Sequence, residues 1–291
     1  MHQYLKSIGF GNIQNKKELH KILHQVEKSY TQHNLMTLDE ETDLCEYAKE
    51  FGAGIGIILC GDMDLSERFT PGYYIPFFVG TGITSYADVY VERRIDREAY
   101  VGICEDLKIG ISLIFHLQNM TEYLREKQMS RNSVKYTSIT LSGLSNGGTI
   151  LLPVLKSKEQ EKKQQEDVRN RMMLMSAAKS GDQAAIDSLT LDDIDTYSEV
   201  SRRLITEDVF SIVDTYIMPY GVECDRYSIM GEIQEFQQME NEYTQEELYI
   251  MKLEVNGLTF DICVPVKEVM GEPAVGRRFK GEVWMQGRIN F

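Results

Sequence analysis

The chain has 291 residues, with 31 Lys plus Arg against 45 Asp plus Glu and a formal net charge of −14. Hydrophobic residues make up 42% and charged residues 26%, which supplies a real core and excludes wholesale disorder, collagen, a disulfide scaffold and a coiled-coil rod. The acid excess excludes a general nucleic-acid backbone binder, which depends on clustered Lys and Arg.

The start, MHQYLKSIGFGNIQNKKELHKILHQ, has no apolar stretch behind a basic end and does not read as a signal peptide; no run approaches the ~20 apolar residues of a membrane-spanning helix. Residues 1–50 read as mainly helical. Leu19, Ile22, Leu23 and Val26 share one helix face, Asn15 suits the cap, and Glu18 is its capping-box partner. From about 52 to 155 the pattern changes to apolar and β-branched runs at 53–60, 73–80, 87–92, 99–104, 109–117, 134–142 and 149–155. The gaps are too short for helical crossovers, so these runs predict a mainly antiparallel sheet, with one short helix at Thr121–Lys127.

Residues 155–180 are the most polar stretch and read as a helix that docks through Val168, Met172, Met173, Met175 and Ala177 and ends at Gly181. A short helix is expected at Asp182–Leu189 and another from Thr190, whose face carries Leu191, Ile194, Tyr197, Val200 and Leu204. Residues 209–218 fit helix or strand and end at Pro219 and Gly221. Strands are expected at 226–236, 247–255, 258–264 and 278–290, with Asn256–Gly257 as a tight hairpin turn. The predicted fold class is α+β: an N-terminal domain at 1–156 built on a mainly antiparallel sheet with helices, a helical connector at 157–205, and a small β-barrel-like or curled-sheet domain at 206–291.

The search for chemistry excludes more than it finds. Five widely spaced cysteines, Cys45, Cys60, Cys104, Cys224 and Cys263, contain no CxxC and favour a reducing cytoplasm. His20 and His24 are four apart but lack the HExxH glutamate and a third ligand, so no metal site is expected. His116, inside ISLIFHL, reads as structural burial in a strand. The GLSNG of residues 143–147 has the letters of a nucleophile elbow around Ser145, but no histidine follows His116, so a turn serine is expected. GAGIGI at 52–57 precedes a strand instead of a helix, and GTGIT at 80–84 lacks the P-loop lysine, so no nucleotide cofactor is expected. Asp62 and Asp64 open like a calcium loop, but Glu67 stands where its glycine must be.

The most unusual tract is the C-terminal GEPAVGRRFKGEVWMQGRINF. Arg277, Arg278 and Lys280 form a candidate anion clamp beside Trp284, with Glu223 or Asp225 as a candidate base. The plain alternative places Phe279, Val283 and Met285 on one buried strand face, Trp284 on the other, and the arginines in ion pairs.

The segments MHQYLKSIGF, SGDQAAIDSLTLDDIDTY, EDVFSIVDTYIMPYGVECDRYSIMGEI and GEPAVGRRFKGEVWMQGRINF together resemble the DUF3881 family, an uncharacterised family of clostridial Firmicutes, and the likeness spans essentially the whole chain. Asp192, Pro219, Gly221, Arg277 and Trp284 are landmarks of that likeness and carry no role from it. The resemblance implies a bacterial cytoplasmic protein and brings no activity or cofactor. The leading expectation is therefore a non-enzymatic binding, adaptor or regulatory protein that meets a protein partner or itself. The alternatives are an enzyme for a small anionic substrate and a structural homodimer. Neither nucleic acid nor a membrane is an expected partner.

Overall fold

The computed structural model describes residues 1–13, 15–37, 42–94, 99–106, 108–109, 111–129, 134–154 and 158–291. A 3₁₀ turn at Gln3–Ile8 and helix α1 (Lys16–Lys28) lead the chain. α1 starts with the expected capping residues: the Asn15 side-chain oxygen accepts from the Glu18 N–H at 2.9 Å, while Asn15 Nδ2 donates to the Glu18 carboxylate at 2.8 Å. Leu19, Ile22 and Val26 form its buried stripe.

While 38–41 lie outside the described residues, residues 32–37 and 42–50 correct the helical expectation. They form β1 (Gln32–Thr37) and β2 (Thr42–Glu50), which join β3 (Ile55–Asp64) and β4 (Phe69–Phe78) in an antiparallel sheet of order β1-β2-β3-β4. The two-residue period is hidden in the sequence because both faces of β2 mix polar and apolar side chains, Leu44 and Ala48 with Glu46 and Glu50 on one, Cys45 and Tyr47 with Asp43 and Lys49 on the other. Nine paired positions with β3, from Thr42↔Asp64 to Glu50↔Gly56, decide the conformation.

The larger sheet takes β5 (Val89–Arg93), β6 (Tyr100–Cys104), β7 (Leu113–Leu117), β8 (Ser138–Leu144) and β9 (Gly148–Leu151), with α2 (Met120–Met129) between β7 and β8. After helices α3 (Lys158–Lys179), α4 (Gln183–Arg203) and α5 (Val209–Ile212) it adds β10 (Tyr216–Pro219), β11 (Arg226–Glu240), β12 (Glu247–Val255), β13 (Leu258–Pro265), β14 (Val269–Met270) and β15 (Arg278–Asn290). The ambiguous 209–218 region is thus one helical turn followed by a strand. α4 is continuous through Thr190, whose hydroxyl donates to the Ile186 carbonyl at 2.9 Å; Asp182 is the actual cap, and no Gly or Pro interrupts the helix after it. Asn256 and Gly257 turn the β12–β13 hairpin at φ 50° and 82°, both left-handed, as an Asn-Gly turn requires.

The sheet curls on itself. β11 pairs with β12, β12 with β13, β13 with β8, β8 with β15, and β15 returns to β11, so five strands form a closed ring. The domain division expected at 156 and 206 does not divide this sheet, because β8 closes a ring otherwise made of strands beyond 206. Strand pairing across more than a hundred residues leaves no local trace in a hydrophobicity pattern. Positions 155–157, where the first boundary falls, lie outside the described residues.

Alternation gives the barrel two faces. Met251, Leu253, Phe260, Ile262, Leu141, Phe279, Val283 and Met285 point inward to one core. Leu248, Ile250, Cys263, Leu144 and Trp284 point outward to a second core, closed by the 3₁₀ turn, α1 and β3 through Leu5, Ile8, Ile22 and Ile57. No helix of the described residues is long and apolar enough to cross a membrane.

Candidate functional site

Beside the second core, the outer face of the barrel turns polar. Glu235 on β11 pairs with Lys252 on β12, Lys252 with Asp261 on β13, Asp261 with Ser142 on β8, and Ser142 with Gln286 on β15. One polar row thus crosses five strands, directly next to the apolar row Ile250, Cys263 and Leu144.

Part of this row is spent on holding the two sheets together. Gln286 Oε1 accepts from the Phe78 N–H at 3.1 Å, its Nε2 donates to the Pro76 carbonyl at 2.9 Å, and the Ser142 hydroxyl donates to the Phe78 carbonyl at 2.5 Å. These side chains satisfy backbone groups at the end of β4 that would otherwise be buried unpaired. Gln118, just after β7, donates to the Phe78 carbonyl and to Gln286 Oε1, each at 2.8 Å.

The rest of the row borders an open cleft of about 800 Å³ between the sheets. Its other wall is the polar face of the smaller sheet, where Asn34, Glu46 and Glu50 stand, and α2 supplies Glu122 and Arg125. Phe77, Phe78 and Phe236 add apolar area. Five carboxylates and three cations line this space. Lys252 pairs with Glu235 at 3.1 Å and Arg288 with Glu122 at 3.8 Å, while Arg125 donates to the Leu35 carbonyl at 2.8 Å.

That leaves the acceptors in surplus. Asp261 is 3% exposed, and its Oδ2 accepts from both the N–H and the hydroxyl of Thr81 at 2.6 Å. Glu46 is 6% exposed and its Oε2 accepts from the Thr121 hydroxyl and from Asn34 Nδ2. Burial pushes the Glu46 carboxyl pKa up, against the lowering pull of those two hydrogen bonds and of Arg125. Among the described residues neither acid has a cation within ion-pairing distance, and the buried Gln118 Oε1 has no hydrogen-bond partner.

The C-terminal tract behaves differently from the expected clamp. Arg278 is buried, and its guanidinium donates to the carbonyls of Leu152, Phe210 and Val213 at 2.7–3.0 Å and more distantly to Asp214 at 3.4 Å. Arg277 donates to the Glu272 carbonyl at 2.6 Å, and Lys280 lies 4.4 Å over the Phe210 ring. The three cations do not surround one cavity: Lys280 lines a space of about 420 Å³ with Arg226 and Ser228, whereas Arg278 lines separate ones beside Asp214. Buried carbonyls at chain crossings need donors, and a long fork with five N–H groups supplies them.

Trp284 and Asp225 do meet. The indole Nε1 donates to Asp225 Oδ2 at 2.9 Å, and Arg94 lies 3.5 Å from the same oxygen. Trp284 stacks on Tyr4 with centroids 5.3 Å apart and touches His2 and His116. Glu223 instead faces Arg226 at 3.8 Å. The plain reading holds for the strand itself, with Phe279, Val283 and Met285 inward and Trp284 outward. His116 is buried, and that burial, with Arg94 nearby, pulls its pKa down to about 4.

The remaining motifs are structural. The Ser145 hydroxyl donates to the Gly147 carbonyl at 2.9 Å in a turn, and Gly54 takes φ 74° between β2 and β3. Asp64 Oδ1 accepts from the Ser66 and Arg68 N–H groups across the β3–β4 turn. Exposed His24 meets Glu27 at 3.6 Å. No metal-holding group of acids, histidines or cysteines occurs among the described residues. Sequence reasoning passed over Asp261, Ser142 and Gln286. The available signal was the acid inside the apolar run LTFDICVP; SITLSGL and VWMQGRI each hold further polar residues and single out neither Ser142 nor Gln286.

No curated protein and no solved structure matches the chain. One family does, over residues 5–287; it is described as "Domain of unknown function, E. rectale Gene description (DUF3881)". The match takes in both sheets and the helices between them, and the chain belongs to that family.

Proposed function

We propose that the protein is a non-enzymatic binding module that takes a small, donor-rich cation, an amine or guanidinium compound, in the cleft between its two sheets. The observation that carries this reading is the row Glu235–Lys252–Asp261–Ser142–Gln286, where polar groups with acceptors in surplus replace the apolar residues a packed sheet face calls for. A concave site with a few convergent polar groups beside aromatic area suits a small ligand. Acceptors without donors select a ligand that brings the donors. None of the five cysteines is in a disulfide, and four of them are buried, which supports a reducing compartment, the cytoplasm.

Thermal unfolding with spermidine, arginine, glucosamine, phosphate and acetate tests the reading. A bound ligand at a hundred times its Kd adds about 2.7 kcal/mol, a melting rise of roughly 5 °C. One of the three cations is expected to give that rise and the anions none. Asp261→Asn, which keeps an acceptor for Thr81, is expected to weaken the effect by about tenfold in Kd. Stabilisation by the anions alone, or a cation effect that survives Asp261→Asn and Glu46→Gln together, overturns it.

A second reading, an enzyme working in the same cleft, is supported by Glu46. A buried carboxyl whose pKa is pushed upward is suited to donate a proton. Chemical change of the stabilising compound on incubation favours that reading over pure binding.

A further inference from the structure

α4 is used on one side only. Ala185 is buried, and the Arg171 guanidinium of α3 pairs with Asp193 at 2.8 Å, which fixes the side of α4 that α3 covers. Around the helix from there stand Ile186, Leu191, Ile194 and Tyr197, the last three 63%, 56% and 75% exposed. Their spacing puts them on one broad face. A helix in water does not keep four large apolar side chains on one face without a partner to cover them.

The arrangement of this face says which partner. Leu191 and Tyr197 each stand three residues from Ile194, and Ile186 and Arg202 each stand eight from it. A two-fold axis at Ile194 therefore sets Ile194 against itself, Leu191 against Tyr197, and Ile186 against the aliphatic stem of Arg202. Charge follows the same symmetry. The N-terminal half of α4 carries Asp187, Asp192 and Asp193, Asp195 lies one residue past the axis, and the C-terminal end carries Arg202 and Arg203. Arg203 is held by Glu207 at 2.7 Å, whereas among the described residues Arg202 makes only a 3.2 Å bond from Nε to the Ser198 carbonyl, leaving its outer nitrogens to reach Asp187 of an antiparallel copy. A purely basic partner segment would meet the acidic half well and the arginine end badly. A parallel copy would set acid on acid.

We propose that two copies of this chain pair through α4, antiparallel about a two-fold axis at Ile194, with Asp187 of each copy facing Arg202 of the other. The contact is one helix wide, and contacts of that size make weak dimers that form as concentration rises. This proposal is independent of the cleft.

Sedimentation velocity of the full chain, from about 1 to about 200 µM, tests it against the mass-action rise expected of a weak dimer. The expected result is a rising dimer fraction. Ile194→Glu sets two carboxylates face to face and is expected to raise the dimer Kd at least tenfold, with an unchanged far-ultraviolet dichroism spectrum. Asp187→Arg and Arg202→Asp are each expected to weaken the dimer, and the double variant to restore it, because the pair is exchanged and not removed. The charge exchange keeps the test decisive if Ile194→Glu disturbs the helix. A monomer at every concentration overturns the proposal, and means that a different protein covers this face. A dimer indifferent to Ile194→Glu, or a double variant no better than the single ones, overturns it equally.

Discussion

Arg278 on β15 and Asp261 on β13 are both charged, both buried in the wall of the same barrel, and opposite in what they have left to give. Arg278 has delivered its donors to carbonyls from the segment between β9 and α3 and from the segment around α5, and so pins those segments to the barrel. Asp261 has engaged one oxygen with Thr81 and borders an open cleft with the rest. A charged side chain marks a binding site by its unspent bonding capacity, not by its charge. The C-terminal tract, with the densest basic and aromatic composition, has mostly spent that capacity inside the protein. The cleft, with unremarkable composition, has not.

The sharpest way to break this contrast is Arg278→Ala. It strands several buried carbonyls, and the expected loss is about 3–5 kcal/mol in denaturant unfolding, with cleft binding unchanged in the fraction that folds. A loss below about 1 kcal/mol would return Arg278 to the pool of available ligand-binding groups.

His116 probes the enclosed side by pH. Its pKa of about 4 lies below the ordinary 6.5, so the unfolded chain binds the extra proton between those values. The contribution of His116 to stability is therefore complete above about pH 6.5 and falls as pH drops toward 4, by about 3 kcal/mol in total. Unfolding free energies measured across that window are expected to show the slope in the wild type and to lose its share in His116→Phe.

Glu46 gives the smallest and most telling effect, with the opposite sign. Its raised pKa means that the folded state binds the proton more readily, so its ionisation costs stability as pH rises above the ordinary 4.5. Glu46→Gln is expected to raise the melting temperature at neutral pH, with the gain vanishing toward pH 4, and to weaken cation binding. A residue whose removal stabilises the fold and costs binding is retained for the site. Lower stability of Glu46→Gln at neutral pH would place Glu46 with Arg278, as a structural group.

The single chain of residues was sufficient for the α1 cap at Asn15 and Glu18, the Asn256–Gly257 turn, the alternation of β12, β13 and β15, and the turn roles of Ser145 and Asp64. Each of these depends on neighbours within a few residues, where hydrogen-bond geometry and side-chain period leave a direct imprint. The residues alone were not sufficient for the membership of β2 in a sheet, because polar and apolar side chains share each of its faces. The continuity of α4 was obscured by a threonine that suits a cap as well as a helix interior.

The candidate site belongs to the tertiary structure. Glu46 lies 215 positions before Asp261 in the chain, and nothing local connects them. They face the same cleft because β8 inserts between β13 and β15, and because Ser142 and Gln286 bind the backbone end of β4 against that wall. Composition and periodicity determined that this is an acidic α+β protein with strands at these places. Long-range strand pairing alone decided which charges were consumed as structure and which were left facing a ligand, since the burial and bonding of a charge are properties of its surroundings.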